Sequence, residues 1–172
     1  MKHPPIPVLC FVGTSNSGKT TLITKVISLL TQRGYNVATV KHTHKEFQMD
    51  SEGKDSWRHM AAGAKTVLLA SPTQFALFSE TRHELTIEDV LERFINSDTD
   101  ILIVEGFKKD KYPKIEVNRK GVSGNLRCIS DPSVIAIATD DSPDIKIPRF
   151  DINNAEGIAD FIEHRLLENK ED

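Results

Sequence analysis

Residues Gly13-Thr14-Ser15-Asn16-Ser17-Gly18-Lys19-Thr20 fit the pattern G-x-x-x-x-G-K-[ST] of a phosphate-binding loop. Each fixed position has a chemical task. Gly13 and Gly18 allow backbone conformations closed to residues with a Cβ, so that successive N–H groups can turn toward one anion. Lys19 adds a full positive charge for the outer phosphates of a nucleotide. The Thr20 hydroxyl is of the type that binds a phosphate-linked Mg2+.

That chemistry requires a strand before the loop and a helix after it. Residues 6–12 are mostly apolar and predict a buried strand, with Pro7 at its start. Ile23, Val26, Ile27 and Leu30 recur at helical spacing and predict a helix over 18–33, stopped by Gly34. The partial positive end of that helix points at the loop. Residues 36–40 predict a second strand. One crossover between the two strands makes them parallel and right-handed. Ligands of such sheets sit beyond the carboxyl ends of the strands, which is where Lys41-His42-Thr43-His44 and the polar run to Gly53 leave.

A second acidic element comes later. Residues 100–106 predict a central parallel strand, because Ile101-Leu102-Ile103-Val104 is apolar on both faces. Glu105 closes it, placed to hold Mg2+ through a water or to orient an attacking water. A solvated strand-end carboxylate is the plain alternative.

His42 and His44 lie two apart, on one side of an extended segment. Two histidines do not make a protein-built metal site, so with Lys41 they read as a basic rim or as exposed loop residues. Asp50, Asp55 and Ser56 around Gly53 suit a helix cap better than a metal shell. Lys108, Lys109, Lys111 and Lys114 form a basic cluster, by default a solvated loop, yet on the ligand edge of the sheet. There it can hold a second phosphorylated molecule. Thr139-Asp140-Asp141 follows an apolar strand and can bring a carboxylate to a nucleobase. Nothing in these residues chooses GTP over ATP.

The remaining pattern fills in one α/β domain over 1–172. Helices are expected over 54–64 (with Trp57, Met60, Ala61 and Ala64 on one side), from Thr86 onward, and after an Asn153/Glu156 cap. Residues 65–70 and 74–78 predict a hairpin, and 114–118 and 134–138 further strands. Residues 121–124 read as a loop and the tail 168–172 as frayed. The chain has 172 residues, a net charge of −3 and two distant cysteines. These argue for one core, against a global nucleic-acid surface, and against a Cys-x-x-Cys zinc or redox site. No apolar run reaches membrane-span length, and a cytoplasmic location is expected.

The whole set resembles the molybdopterin-guanine dinucleotide biosynthesis protein B (MobB) family. The matching segments are the loop through Thr21, Val40-Lys41-His42-Thr43-His44, and Gly53-Lys54-Asp55-Ser56 with Ala62-Gly63-Ala64. Leu102-Ile103-Val104-Glu105-Gly106-Phe107-Lys108 with Pro113-Lys114, Val134-Ile135-Ala136-Ile137-Ala138 and Asp151-Ile152-Asn153 complete it. The resemblance implies a three-layer P-loop NTPase fold, its mostly parallel central sheet flanked by helices. It implies a dimeric adaptor that binds GTP with Mg2+ and hydrolyses it weakly at most. The adaptor assists a separate MobA-type guanylyltransferase that attaches GMP to molybdopterin. Residues 13–21, namely Gly13, Thr14, Ser15, Asn16, Ser17, Gly18, Lys19, Thr20 and Thr21, would then hold phosphates. Thr20 and Glu105 would lie at the metal, and Lys41, His42 and Asp55 would line the neighbouring cleft.

Weak hydrolysis agrees with the absence of an arginine from the loop and from the residues just after Glu105, Arg58 being the nearest candidate. Two other readings compete. A small-molecule kinase would carry an arginine-bearing lid, and no segment has clustered arginines. A metallochaperone GTPase would carry a longer histidine run or a Cys-x-x-Cys-like site, and neither is present.

Overall fold

A computed structural model describes residues 6–43, 50–122 and 125–168. The chain forms two compact units, residues 43–94 making one and the remainder the other.

The larger unit is a six-stranded sheet. Its strands are β1 (Val8–Val12), β2 (Val37–Lys41), and, after the second unit, the strand Ile101–Glu105. Three more follow, Lys114–Asn118, Val134–Thr139 and Arg149–Asp151. The second unit contributes a hairpin, β3 (Thr66–Ala70) and β4 (Phe75–Ser79), so the later strands are β5 to β8 in that sequence. The order across the sheet is β2-β5-β1-β6-β7-β8, with every neighbouring pair parallel. The expected α/β class and mostly parallel sheet are therefore what the chain forms.

Parallel neighbours bury both faces, and for that reason β1 is apolar throughout and β5 is apolar as far as Val104. The helix α1 (Lys19–Gln32) packs Leu22, Ile23, Val26 and Leu30 on one face. A last helix, Ala155–Ile162, adds Ile158 and Ile162 to the same core. Arg33 fixes the two helices at their ends, pairing with Asp160 at 2.5 Å and Glu163 at 2.6 Å, while the Tyr35 hydroxyl donates to Glu163 at 2.8 Å.

The other face of β6 is unusual. Ile115 and Val117 enter the core, so Lys114, Glu116 and Asn118 alternate away from it, and all three are buried. Lys114, only 1% exposed, donates to the Asp110 carbonyl and the Ser133 hydroxyl and pairs with Asp131 at 3.2 Å. Glu116 accepts from the amides of Arg127 and Cys128, both at 2.9 Å, and Asn118 accepts from Thr139 at 3.2 Å. Each buried polar group is thus partnered, as burial requires. Lys114 leaves the solvated basic cluster expected of it, because residues 131–133 supply a pocket that no local pattern reveals.

Several boundaries differ from expectation. The last helix is capped by Asn154, whose carboxamide oxygen accepts from the Gly157 amide at 2.9 Å, one residue after the expected Asn153. A wider turn over Glu163–Leu167 follows, closed by Glu168 N–H on the Glu163 carbonyl. The extra residue per turn brings Leu167 into the core, with Leu166 half-buried against it. β8 and a short turn at Arg127–Ile129 lie where no periodicity was visible.

In the smaller unit, α2 spans Asp55–Ala61 and α3 spans Ile87–Phe94. The cap at Thr86 forms: its amide and hydroxyl donate to Asp89, and its hydroxyl accepts from the Asp89 amide at 3.1 Å. On α2 it is Ser56 that is buried, its hydroxyl donating to Asp50, while Trp57 and Met60 are half-buried and Ala61 is exposed. Pairing of β3 with β4 is antiparallel, so the expected hairpin stands. Leu68, Leu77 and Phe75 share one ribbon face and are exposed, Phe75 by 75%. The last helix of the larger unit, Ala155–Ile162, is α4.

Candidate functional site

β1 ends at Val12 and α1 begins at Lys19, so the loop joins a central strand to the helix that covers it. Its backbone has positive φ at Gly13 (154°), Asn16 (62°) and Gly18 (92°). Such reversals are what curl consecutive amides around an anion. Asparagine tolerates the left-handed region, whereas the glycines are required. A Cβ on Gly13 would stand 2.3 Å from the Val117 carbonyl oxygen, which is backbone and cannot swing away. Gly18 leaves its own gap, where the Arg119 guanidinium would be 3.3 Å from a Cβ. Sequence reading did not single out Arg119. It approaches the loop by following β6, a neighbour of β1 that comes about 100 residues later, and only the strand order reveals it.

Ser17 is buried, and its amide donates to the Thr14 carbonyl at 3.4 Å. Ser15 and Asn16 form the exposed tip, and Thr21 lies exposed in the first turn of α1. The Lys19 ammonium folds back over the loop, donating to the Thr14 carbonyl at 2.5 Å and the Ser17 hydroxyl at 3.4 Å. Burial pushes its pKa down from the ordinary lysine value, against the upward pull of Glu105 and aided by Lys108 and Lys41.

Glu105 closes β5, which runs directly beside β1. The Thr20 hydroxyl lies 3.1 and 3.2 Å from its two carboxylate oxygens. On the other side β2 brings Lys41 to 3.5 Å from the same carboxylate. The His42 amide donates to the Glu105 carbonyl at 2.9 Å, and its ring lies 4.4 Å from that of Phe107. Lys108 lines a cleft with Gly13 and Thr14. Asp55 belongs to the smaller unit, where it opens α2. His44 lies outside the described residues.

A hydroxyl and a carboxylate converging beside a phosphate loop suit Mg2+, which is held by one or two carboxylates plus substrate phosphates. Among the described residues no three His, Cys, Asp or Glu side chains group as metal ligands. Both cysteines are free, and burial pushes the Cys10 thiol up to about 12.

Strand order, loop and acidic strand end together define a P-loop-type α/β protein. Residues 8–140 match the family model described as molybdopterin guanine dinucleotide synthesis protein B. The chain is 41% identical to the molybdopterin-guanine dinucleotide biosynthesis adapter protein of Haemophilus influenzae, over 94% of this chain and 90% of that one. Against the Escherichia coli adapter protein of the same name the figures are 38%, 91% and 91%. The solved structure of Bacillus subtilis MobB superposes with a TM-score of 0.72 at 29% identity, covering 94% of this chain and 98% of that one. The chain belongs to the MobB family.

Proposed function

We propose that this protein is a GTP-binding adapter for the conversion of molybdopterin to its guanine dinucleotide form. The observation that carries the reading is the Lys19 ammonium folded over the phosphate loop, with Thr20 and Glu105 paired beside it. In that role the loop amides from Gly13 to Thr21 and the Lys19 ammonium bind the triphosphate. Thr20 and Glu105 hold Mg2+, which when bound neutralises charge between the outer phosphates. Lys41 stands beside the Glu105 carboxylate and fixes its direction. His42 and Lys108 face the substrate side in this reading.

Making the dinucleotide requires an oxygen of the molybdopterin phosphate to attack the α-phosphorus of GTP, with pyrophosphate leaving. A separate guanylyltransferase performs that step, and the adapter holds or delivers the nucleotide. Membership of the family and the relatives' designation as adapter proteins support the adapter role. Arg119 adds a cation near Gly18, and slow hydrolysis agrees with the absence of an arginine from the loop itself.

A homodimer and a cytoplasmic location complete the proposal. The exposed apolar ribbon of Leu68, Leu77 and Phe75 supports self-association, since an isolated two-stranded hairpin is marginal in water. Among the described residues no helix is long and apolar enough to cross a membrane. Calorimetric titration with GTP and ATP, with and without Mg2+, tests the reading. Tighter Mg2+-dependent binding of GTP is expected, and a preference for ATP overturns it.

A further inference from the structure

A cleft of about 250 Å3 opens at the strand end of the phosphate loop. Gly13, Thr14, Lys108, Glu116, Asn125 and Arg127 line it. Thr20 and Glu105 meet at the helix end of the loop, while the Lys19 ammonium reaches back to the Thr14 carbonyl at 2.5 Å, at the rim of this cleft. The cleft therefore adjoins the groups proposed to hold the nucleotide.

The floor of the cleft is built, not incidental. Glu116 is 4% exposed, on the face of β6 turned away from α1 and α4. Both its oxygens accept backbone N–H groups, from Arg127 and Cys128. Those bonds neutralise part of the carboxylate charge and tie the 127–129 turn to the sheet. Arg127 is thereby held at one side of the cleft, and Lys108 comes from the β5–β6 connection. Two cations, a hydroxyl from Thr14 and a carboxamide from Asn125 make a donor-rich lining. Arginine and lysine with neutral donors are the groups that bind a phosphate dianion. The volume lies below the roughly 300–1,000 Å3 of pockets that enclose whole drug-sized ligands. It suits one end of a ligand.

We propose that this cleft binds the phosphate monoester end of a second ligand next to the nucleotide, through Lys108 and Arg127, with Glu116 as a positioning residue. The inference rests on the adapter reading above, in which that ligand is molybdopterin and the cleft is its phosphate subsite. Its phosphate then waits beside the loop that carries GTP, so one protein presents both substrates of the transferase.

The test is anaerobic titration of the full chain, saturated with Mg2+ and a non-hydrolysable GTP analogue. The probes are molybdopterin, followed by pterin fluorescence, and its dephosphorylated form. Wild-type protein is expected to bind molybdopterin at least tenfold more tightly than the dephosphorylated form. Arg127→Ala is expected to remove that tenfold preference and to leave GTP-analogue affinity within about threefold, and Lys108→Ala is expected to remove the preference as well. Glu116→Gln is expected to weaken the preference less, with the fold checked by circular dichroism. Unchanged molybdopterin binding in both cation variants overturns the inference and leaves the adapter reading intact. So does competition between molybdopterin and the GTP analogue, or loss of analogue binding in Arg127→Ala, since the cleft would then be part of the nucleotide site. Wild-type protein that binds the analogue but no molybdopterin removes the ligand and the adapter reading together.

Discussion

Thr20 donates its hydroxyl to Glu105 at 3.1 Å across 85 residues of sequence. Parallel pairing of β1 with β5 makes this contact, by setting Phe11 opposite Glu105 at the carboxyl edge. One carboxylate is therefore shared among the hydroxyl that starts α1, the Lys41 ammonium and the metal proposed here.

Glu105→Gln keeps the shape and removes the charge. Mg2+ should then cease to strengthen GTP binding, while Mg2+-free binding stays within a few-fold of wild type. Paired titrations with Mg2+ and with EDTA read the difference. A variant that retains the full Mg2+ effect would place the metal elsewhere.

Lys19→Ala removes one charge-assisted contact, worth about 1.5–3 kcal/mol. GTP affinity should fall roughly 10- to 100-fold. The lowered pKa of Lys19 gives a second reading. Only the ammonium attracts phosphate, so affinity should decline with rising pH, beginning below the ordinary lysine value of 10.5. The decline should vanish in the alanine variant, which a pH series of titrations would reveal.

Lys114→Ala leaves Asp131 without its buried cation. Breaking such a pair costs about 3–5 kcal/mol. A chain of this size then melts roughly 6–20 °C lower. Burial pushes the Asp131 carboxyl up, but the Ser133 hydroxyl and amide and the Lys114 ammonium outweigh it, holding the pKa below 3.8. A depressed carboxyl stabilises fully above its unfolded value and ceases to as pH falls through the folded one. The Lys114 effect should therefore be intact at pH 6 and shrink below about 3.8. Thermal melts across that range measure it.

Phe75→Asp puts a charge in the middle of the exposed ribbon face. If two copies pair through that face, light scattering should show a shift from dimer to monomer with the helical content kept. An unchanged mass would move the dimer contact off the hairpin.

The loop and the strands beside it were legible because their signals are local. A fixed glycine–lysine spacing marks residues 13–20, and unbroken apolar runs mark β1 and β5. Lys41, His42 and Glu105 were legible as strand ends, although their meeting depends on strand order. Arg119 and Lys114 were not legible. One gains its place by β6 lying next to β1, the other from a partner at 131. β8 is three residues long with two of them exposed, too short for any alternation to register. The cap at Asn154 was displaced by one residue because neighbouring asparagines offer the same chemistry.

The three polar side chains of β6 carry a further consequence. Slipping the strand by one residue would turn Lys114, Glu116 and Asn118 toward the oily side of the sheet and strip each of its partner. A wrongly docked β6 is thus far more costly than a strand of valines would be. The row works as a key cut for a single lock, and it aligns the carbonyl of Val117 against Gly13 each time the chain folds.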